Sequence, residues 1–201
     1  MIKAIVFDIG GVLLRTDNRS SRQQLETKYG LDPGEADRLV FDSKAAQEST
    51  IGKASQDSIW ANVANHLKLS DNELEAFKEG FWLNDKVDQD LIAILQEFRQ
   101  TYDTALLSNA WLDARKTFAD VYGLIEGQTA NHILYSSELG LAKPDPRIYY
   151  ALAEKLDCAF DEIIFVDDFL ENVAAAQMLG IHAIRYHPGI NLIEEIEKEL
   201  K

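Results

Sequence analysis

Aspartates that could bind a metal ion or act as a nucleophile directly follow two short apolar runs. Asp8 follows the run Lys3 to Phe7, and Asp167 and Asp168 follow Ile163 to Val166. Carboxylate oxygens suit Mg2+, and a carboxylate can also act as a nucleophile that forms an aspartyl-phosphate. A single Asp after a strand is most often a helix cap or a turn residue, so only the repetition of the pattern indicates a site.

A hydroxyl, an amide and an ammonium complete the candidate site. Ser108 and Asn109 follow the apolar run Thr104 to Leu107, and with the backbone N–H groups of an expected helix start they would form a phosphate seat. Lys143 could hold a carboxylate and a phosphoryl group together. Phosphoryl transfer depends mainly on positioning and charge neutralisation. The set therefore predicts a Mg2+-dependent phosphate site.

The apolar runs before these residues predict strands, and Ile133 to Tyr135 and Ala183 to Tyr186 are two further candidates. Continuous apolar runs are typical of parallel strands covered on both faces. Ligands of open α/β sheets bind beyond the carboxyl ends of the strands. We therefore expect the polar residues that follow the strands to converge.

Helical patterns lie between the predicted strands. They cover Asp88 to Arg99, a segment that Asp145-Pro146 opens, and Asn172 to Leu179 with Gly180 as its C-terminal cap. Strands that alternate with helices predict an α/β fold, here a three-layer Rossmann-like core around a parallel sheet.

The stretch from Arg15 to Asp85 breaks this alternation and shows no convincing strand. It carries helical apolar stripes, and Ser70 to Glu73 forms a capping box. We predict a Rossmann-like core at residues 1–14 and 86–201, with a small all-helical cap at 15–85 that closes over Asp8 and selects the substrate. Trp60 and Trp82 are expected in the core of this cap, whereas Trp111 could line the pocket or pack in a helix.

The amino-acid composition limits the classes of binding partner and the cellular compartment that we expect. The 201 residues include 34 Asp and Glu against 20 Lys and Arg, a formal net charge of −14. Such a surface repels phosphate backbones and anionic lipids, which argues against nucleic-acid and membrane partners. Cys158 is the only cysteine, so no internal disulfide can form and a cytoplasmic location is expected. The sequence leaves open whether the protein is a monomer or a homodimer.

Four motifs, in this order, resemble those of the haloacid dehalogenase-like (HAD) hydrolase superfamily. They are Phe7-Asp8-Ile9-Gly10-Gly11-Val12-Leu13, Leu107-Ser108-Asn109, Lys143-Pro144-Asp145-Pro146, and Phe165-Val166-Asp167-Asp168 followed by Glu171-Asn172. The early helical insertion resembles the cap of the subfamily with β-phosphoglucomutase, phosphoglycolate phosphatase and the phosphatase domain of soluble epoxide hydrolase.

The resemblance implies a role for each motif residue and a small phosphorylated metabolite as substrate. Asp8 would be the nucleophile, and Mg2+ would be held by Asp8, the backbone carbonyl of Gly10 and Asp168. Asp167 would be a further metal ligand or would support the metal site, as Asn172 would. Ser108 would bind the phosphoryl oxygens, Lys143 would bridge Asp8 and phosphate, and Asn109 would help to position the phosphoryl group.

One position departs from the family pattern. Phosphatases of the family usually carry a second Asp two residues after the nucleophile as general acid and base, and here that residue is Gly10. Three explanations follow. The protein could be a phosphatase for leaving groups that need little protonation, or one in which Asp17 or water substitutes. It could be a metal-free 2-haloacid dehalogenase, although Asp167 and Asp168 would then repel each other without a cation. It could also be a catalytically weak module that binds a metabolite or a protein. We expect the phosphatase.

Overall fold

The computed structural model describes residues 1–201 and contains seven strands. A parallel sheet of five strands forms its centre, and an antiparallel ribbon of two residues per strand lies beside it. The strands are β1 (Ala4–Phe7), β2 (Leu14–Arg15), β3 (Lys86–Val87), β4 (Asp103–Ser108), β5 (His132–Tyr135), β6 (Ile163–Asp167) and β7 (His182–Arg185). The large sheet has the order β5-β4-β1-β6-β7, and β2 pairs with β3.

Eleven α-helices accompany the strands, together with a π-helical turn at Arg38–Asp42 and a 3-10 turn at Phe160–Glu162. None of the helices is long and apolar enough to cross a membrane. The helices are α1 (Ser20–Tyr29), α2 (Glu35–Asp37), α3 (Lys44–Thr50), α4 (Gln56–Leu67), α5 (Asp71–Trp82), α6 (Gln89–Phe98), α7 (Ala114–Tyr122), α8 (Ser136–Leu139), α9 (Pro146–Leu156), α10 (Leu170–Met178) and α11 (Leu192–Glu199).

The sheet is covered on both faces, which makes the fold a three-layer α/β sandwich. Along β1, Ile5 and Phe7 pack with residues of α6, α7 and α11 in one apolar cluster. Ala4 and Val6 point to the other face and pack with residues of α9 and α10 in a second cluster. Successive residues of a strand face opposite sides of the sheet, so an all-apolar strand needs helices on both sides. The Rossmann-like fold expected from the sequence is confirmed.

Capping signals in the sequence mark the helix ends that the structure shows. The Asp88 carboxylate accepts from the first backbone N–H groups of α6, and Asp145 does the same for α9, where Pro146 takes the first position. Ser70 and Glu73 form the predicted capping box at the start of α5. The five predicted sheet strands are confirmed, with ends that differ by about one residue.

Helices α1 to α5 enclose an apolar cluster of their own, which includes Trp60, Val63, Phe77 and Phe81. This segment contains one feature that the sequence analysis missed. Arg15 is part of β2, so the expectation that residues 15–85 lack a strand is wrong at this end. Strands of two residues are too short to show an alternating pattern. The ribbon β2–β3 pairs the two points where the chain enters and leaves the segment, while the role of the segment as a cap stays a prediction.

Candidate active site

Asp8 lies immediately beyond the carboxyl end of β1 and is buried, with 6% of its surface exposed. Its backbone N–H donates to the Val166 carbonyl at 2.8 Å, which continues the pairing of β1 with β6. Its side-chain Oδ1 accepts from the backbone N–H of Ile9 at 2.7 Å and lies 3.0 Å from Lys143 Nζ. Both contacts are made by Oδ1, so Oδ2 is the oxygen left for chemistry.

Lys143 brings two carboxylates together at the centre of the site. Its side chain is fully buried, and Nζ donates to Asp167 Oδ2 at 2.6 Å and to the Leu107 carbonyl at 2.9 Å. With the contact to Asp8 at 3.0 Å, these bonds account for all three ammonium protons. In this structure Lys143 therefore bridges Asp8 and Asp167. The predicted bridge from Asp8 to a phosphate stays a prediction.

Asn109 holds the loop that carries Lys143. Its side-chain Nδ2 donates to the Lys143 carbonyl, its Oδ1 accepts from the Lys143 N–H, and both distances are 2.8 Å. Because these bonds occupy the amide at both ends, the structure favours positioning of Lys143 over direct phosphate binding by this side chain.

The expected helix start after Ser108 and Asn109 is wrong. Helix α7 begins only at Ala114, after a loop at 109–113, so no helix N-terminus presents N–H groups at Asn109. Ser108 itself ends β4, is 3% exposed, and is paired in register with Tyr135 of β5. Since Ser108 and Asp8 stand at the same edge of one parallel sheet, the hydroxyl keeps its place in the candidate site, and its contact with phosphate stays a prediction.

The Asp167 side chain is fully buried, and its carboxylate accepts hydrogen bonds from three residues. Its Oδ1 accepts from the backbone N–H of Phe169 at 2.9 Å, and Asn172 Nδ2 donates to both carboxylate oxygens at 3.0 and 3.1 Å. Its Oδ2 also receives the Lys143 ammonium. These bonds fix the carboxylate rigidly, as the predicted supporting role of Asp167 and Asn172 requires.

Asp168 faces the loop that follows β1, and the conformation of Gly11 makes this approach possible. Gly11 has φ +77°, and a Cβ at this position would lie 2.2 Å from Asp168 Oδ2. Only glycine offers both the left-handed backbone and the empty volume. The sequence analysis did not assign a role to Gly11, although the Gly10-Gly11 pair directly after a strand and its Asp was the available signal.

The donor set fits a divalent cation. One oxygen from each of Asp8, Asp167 and Asp168 lies within 4.8 Å of the others, and Lys143 is the one ammonium in contact with this group. The Oδ1 atom of Asp168 is buried without a hydrogen-bond partner. A buried acceptor among three carboxylates is costly unless a cation neutralises it. Hard oxygen ligands of this kind suit Mg2+.

Burial and mutual repulsion make two of these carboxyl groups weak acids. Burial raises the pKa of Asp8 to about 7, against the opposing effect of the Lys143 ammonium. Burial, followed by the negative charge of Asp167, raises the pKa of Asp168 to about 6. Both shifts have the direction expected for carboxylates that face each other in a site built for a cation.

The space beside Gly10, where phosphatases of the family usually carry a second Asp, is open. An ideal Cβ at Gly10 meets no heavy atom within 4 Å, so a side chain would fit there. Asp17, the acidic substitute considered from the sequence, has a side chain that is 70% exposed and lies 3.2 Å from the Arg15 guanidinium. The structure therefore gives no support for Asp17 as the acid.

A comparison of the sequence with models of protein families identifies the family of this chain. The model of the family described as haloacid dehalogenase-like hydrolase matches residues 2–180. The chain belongs to the haloacid dehalogenase-like hydrolase family. The recognition from the four motifs is thereby confirmed.

The proteins to which this chain is similar include phosphatases. The chain is 28% identical to a D-ribitol-5-phosphate phosphatase of Bacteroides thetaiotaomicron, over 98% of this chain and 97% of that protein. It also matches the bifunctional epoxide hydrolase 2 of mouse at 29% identity over half of this chain, but it spans only 18% of the length of that relative.

Solved structures share the fold. A predicted HAD-like hydrolase from Porphyromonas gingivalis superposes with a TM-score of 0.79 at 23% identity, covering 100% of this chain and 98% of that one. A HAD family enzyme of B. thetaiotaomicron, solved with magnesium and inorganic phosphate, superposes with a TM-score of 0.75 at 21% identity, covering 95% and 97%. These likenesses confirm the α/β architecture.

Proposed function

We propose that this HAD-family hydrolase is a Mg2+-dependent phosphatase that acts on a small phosphorylated metabolite through an aspartyl-phosphate on Asp8. The observation that carries the proposal is the arrangement around Lys143, whose ammonium holds Asp8 and Asp167 while Asp168 completes a triad of carboxylates. The similarity to a phosphatase and to a fold solved with magnesium and phosphate supports it.

The nucleophile in this mechanism is Asp8 Oδ2. The Ile9 N–H and Lys143 fix the other oxygen, Oδ1, and so orient the carboxylate. Oδ2 attacks phosphorus, the ester P–O bond breaks, and the leaving oxygen departs with the bonding electron pair. Water then attacks the aspartyl-phosphate, which returns the free carboxylate and releases phosphate.

Asp8, Asp168 and the Gly10 carbonyl would hold Mg2+, with Asp167 and Asn172 supporting them. The bound cation would neutralise charge on the phosphoryl oxygens. Lys143 adds a fixed positive charge, and Ser108 a hydroxyl that can donate to a phosphoryl oxygen. In this proposal residues 15–85 act as the cap that excludes water and selects the substrate.

The test is phosphate release from a panel of small phosphate esters, including acyl phosphates and sugar 1-phosphates, with Mg2+ and with a chelator. We expect turnover that requires Mg2+ and disappears in Asp8→Asn. Asp161→Asn is the matched control, because Asp161 is exposed and precedes β6 at the opposite edge of the sheet. Turnover that survives in Asp8→Asn would overturn the proposal.

Gly10 favours one second candidate, a module that binds a phosphorylated metabolite without turning it over. It predicts no phosphate release across the panel together with retained ligand binding. A dehalogenase would instead release halide from a 2-haloacid without metal. The buried carboxylate triad, with a single ammonium in contact, disfavours this metal-free reading.

A further inference from the structure

A cavity of about 60 Å3 lies where the helical segment 15–85 meets the α/β core. Residues from both parts line it, and none of them is charged. The segment 15–85 contributes Val40, Phe41, Ala46, Thr50, Gln56, Ile59, Trp60 and Trp82, and the core contributes Asn109, Ala110 and Trp111.

All three tryptophans of the chain line this cavity. Trp60 and Trp82 lie with ring centroids 6.2 Å apart, and Trp82 and Trp111 with centroids 5.7 Å apart. Trp111 packs against the apolar cluster of the helical segment and against one cluster of the core, so it joins the two parts. A rigid aromatic wall of this kind is typical of pockets for apolar groups.

Three lining residues of the cavity directly follow β4, at the edge of the sheet where the proposed nucleophile lies. Asn109, one of its lining residues, is exposed and bonds to the Lys143 backbone at 2.8 Å. The Lys143 ammonium in turn lies 3.0 Å from Asp8. The cavity wall and Asp8 are therefore linked through Asn109 and Lys143, and the cavity lies on the side of the site where the helical segment meets the core.

We infer that this cavity holds the organic part of the phosphorylated substrate, and that this part is a short aliphatic group. The inference rests on the proposed function. At about 30 Å3 for each water-sized group, a cavity of about 60 Å3 has room for about two such groups. Eight of the eleven lining residues are hydrophobic, so the hydroxyls of a polyol would lose their water and find few partners there.

The test is a tryptophan-fluorescence titration of the full chain with n-alkylphosphonates of increasing length in the presence of Mg2+. Phosphonates are not hydrolysed at the P–C bond, and every tryptophan reports on the cavity. We expect the affinity to rise roughly fourfold per methylene, which corresponds to about 0.8 kcal/mol, and to level off when the cavity is full. Affinity that does not depend on chain length would overturn the inference.

Two variants alter the cavity in opposite directions. Ala46→Leu places a larger side chain on a buried lining position of α3 and should remove the gain with chain length. Ile59→Val enlarges the cavity and should move the plateau to longer chains, which keeps a test available if Ala46→Leu does not fold. Ala61→Leu is the matched control, because Ala61 is exposed on α4 and should behave as the unmodified protein.

Phosphate release from the corresponding alkyl phosphates separates the two proposals. Release without dependence on chain length would retain the phosphatase and reject the cavity assignment. Dependence of binding on chain length without release would retain the assignment and reject the phosphatase. If Ala46→Leu kept the dependence of the unmodified protein, the cavity assignment would be rejected regardless of activity.

Discussion

Two adjacent glycines follow the proposed nucleophile, and their surroundings differ. Gly11 has a left-handed backbone and no room for a Cβ, because Asp168 packs directly against it. Gly10 has open space where a side chain would stand. Gly11 therefore serves the geometry of the site, whereas Gly10 leaves room for a side chain.

Gly10→Asp should restore general acid catalysis. Such an acid typically contributes about a hundred- to ten-thousand-fold in rate. We expect kcat/KM to rise for esters whose leaving alcohol is weakly acidic and to change little for acyl phosphates, which need no proton. The measurement is kcat/KM across a series of leaving groups. An unchanged series would mean that another group already protonates the leaving oxygen.

Gly11→Ala should weaken metal binding, because the new Cβ would displace the Asp168 carboxylate and strain a backbone at φ +77°. Gly10→Ala is the matched control, since its Cβ meets no neighbouring atom within 4 Å. Calorimetric Mg2+ titration of both variants checks this, with circular dichroism as the test of folding. Equal Mg2+ affinity in the two variants would contradict the role given to Gly11.

The pKa values of Asp8 and Asp168 predict that the stabilising effect of Mg2+ depends on pH. Both pKa values lie above those of an unfolded chain, so the folded metal-free protein binds protons more tightly. The stability contributed by these two groups is present below about pH 4 and is lost as pH rises towards about 7. Mg2+ competes with these protons for the carboxylates, so its stabilising effect should grow over the same range.

The measurement is the Tm with and without saturating Mg2+ at about pH 5 and about pH 8. We expect a clearly larger Mg2+-induced increase at the higher pH, and little increase at either pH in Asp168→Asn. The exposed substitution Asp161→Asn should leave the increase as it is. The same increase at both pH values would contradict the assignment of these carboxylates to the metal.

At the scale of elements, a largely buried ionic network lies within the helical segment, next to the ribbon through which the segment joins the core. The Arg22 side chain of α1 is 5% exposed and donates to the Phe81 carbonyl, to Asp37 and to Asp85 Oδ1 at 2.7 Å. The Thr16 hydroxyl donates to the same Asp85 oxygen at 2.5 Å. Thr16 and Asp85 flank the ribbon β2–β3, and Arg22 holds the Asp85 carboxylate at this point.

Arg22→Met should lower the free energy of unfolding by about 3 kcal/mol, because it leaves the buried Asp85 carboxylate without its cationic partner. Arg19→Met is the matched control. Arg19 also pairs with Asp37, but its side chain is 42% exposed, so its loss should cost less than about 1 kcal/mol. Urea unfolding of both variants measures the difference. Similar small losses would show that the network adds little to the junction.

Local signals predicted the elements that form through local interactions. The Asp145 cap and the capping box at Ser70 each depend on residues within one helical turn, and the structure confirms both. The ribbon β2–β3 joins residues about seventy positions apart and contains too few residues for a pattern. The late start of α7 at Ala114 likewise follows from a loop that the pairing of Asn109 with Lys143 holds in place.

At the scale of the whole molecule, the order of strands and helices predicted where the site residues meet. A parallel sheet brings the carboxyl ends of its strands to one edge, and Asp8, Lys143 and Asp167 do converge there. The contacts within the site could not be predicted. That Lys143 bridges two carboxylates, or that Gly11 makes room for Asp168, depends on packing between segments far apart in sequence.

The contacts between the segment 15–85 and the α/β core also could not be predicted from sequence patterns. Helical spacing places Trp60 and Trp82 in the apolar cluster of the segment 15–85, as expected. It gives no indication that Trp111 meets them across the seam and completes the wall of a cavity. The surface to which we assign the organic part of the substrate therefore exists only after both parts have folded against each other.

The central claim is that Asp8 becomes phosphorylated during turnover. The most direct measurement is mass spectrometry of the protein quenched in acid after mixing with Mg2+ and acetyl phosphate, followed by mapping of the modified peptide. Our account predicts a single added phosphoryl group on Asp8, absent in Asp8→Asn and absent when Mg2+ is chelated. Phosphate released at full rate with the group found on another residue, or an unmodified protein during steady turnover, would contradict it.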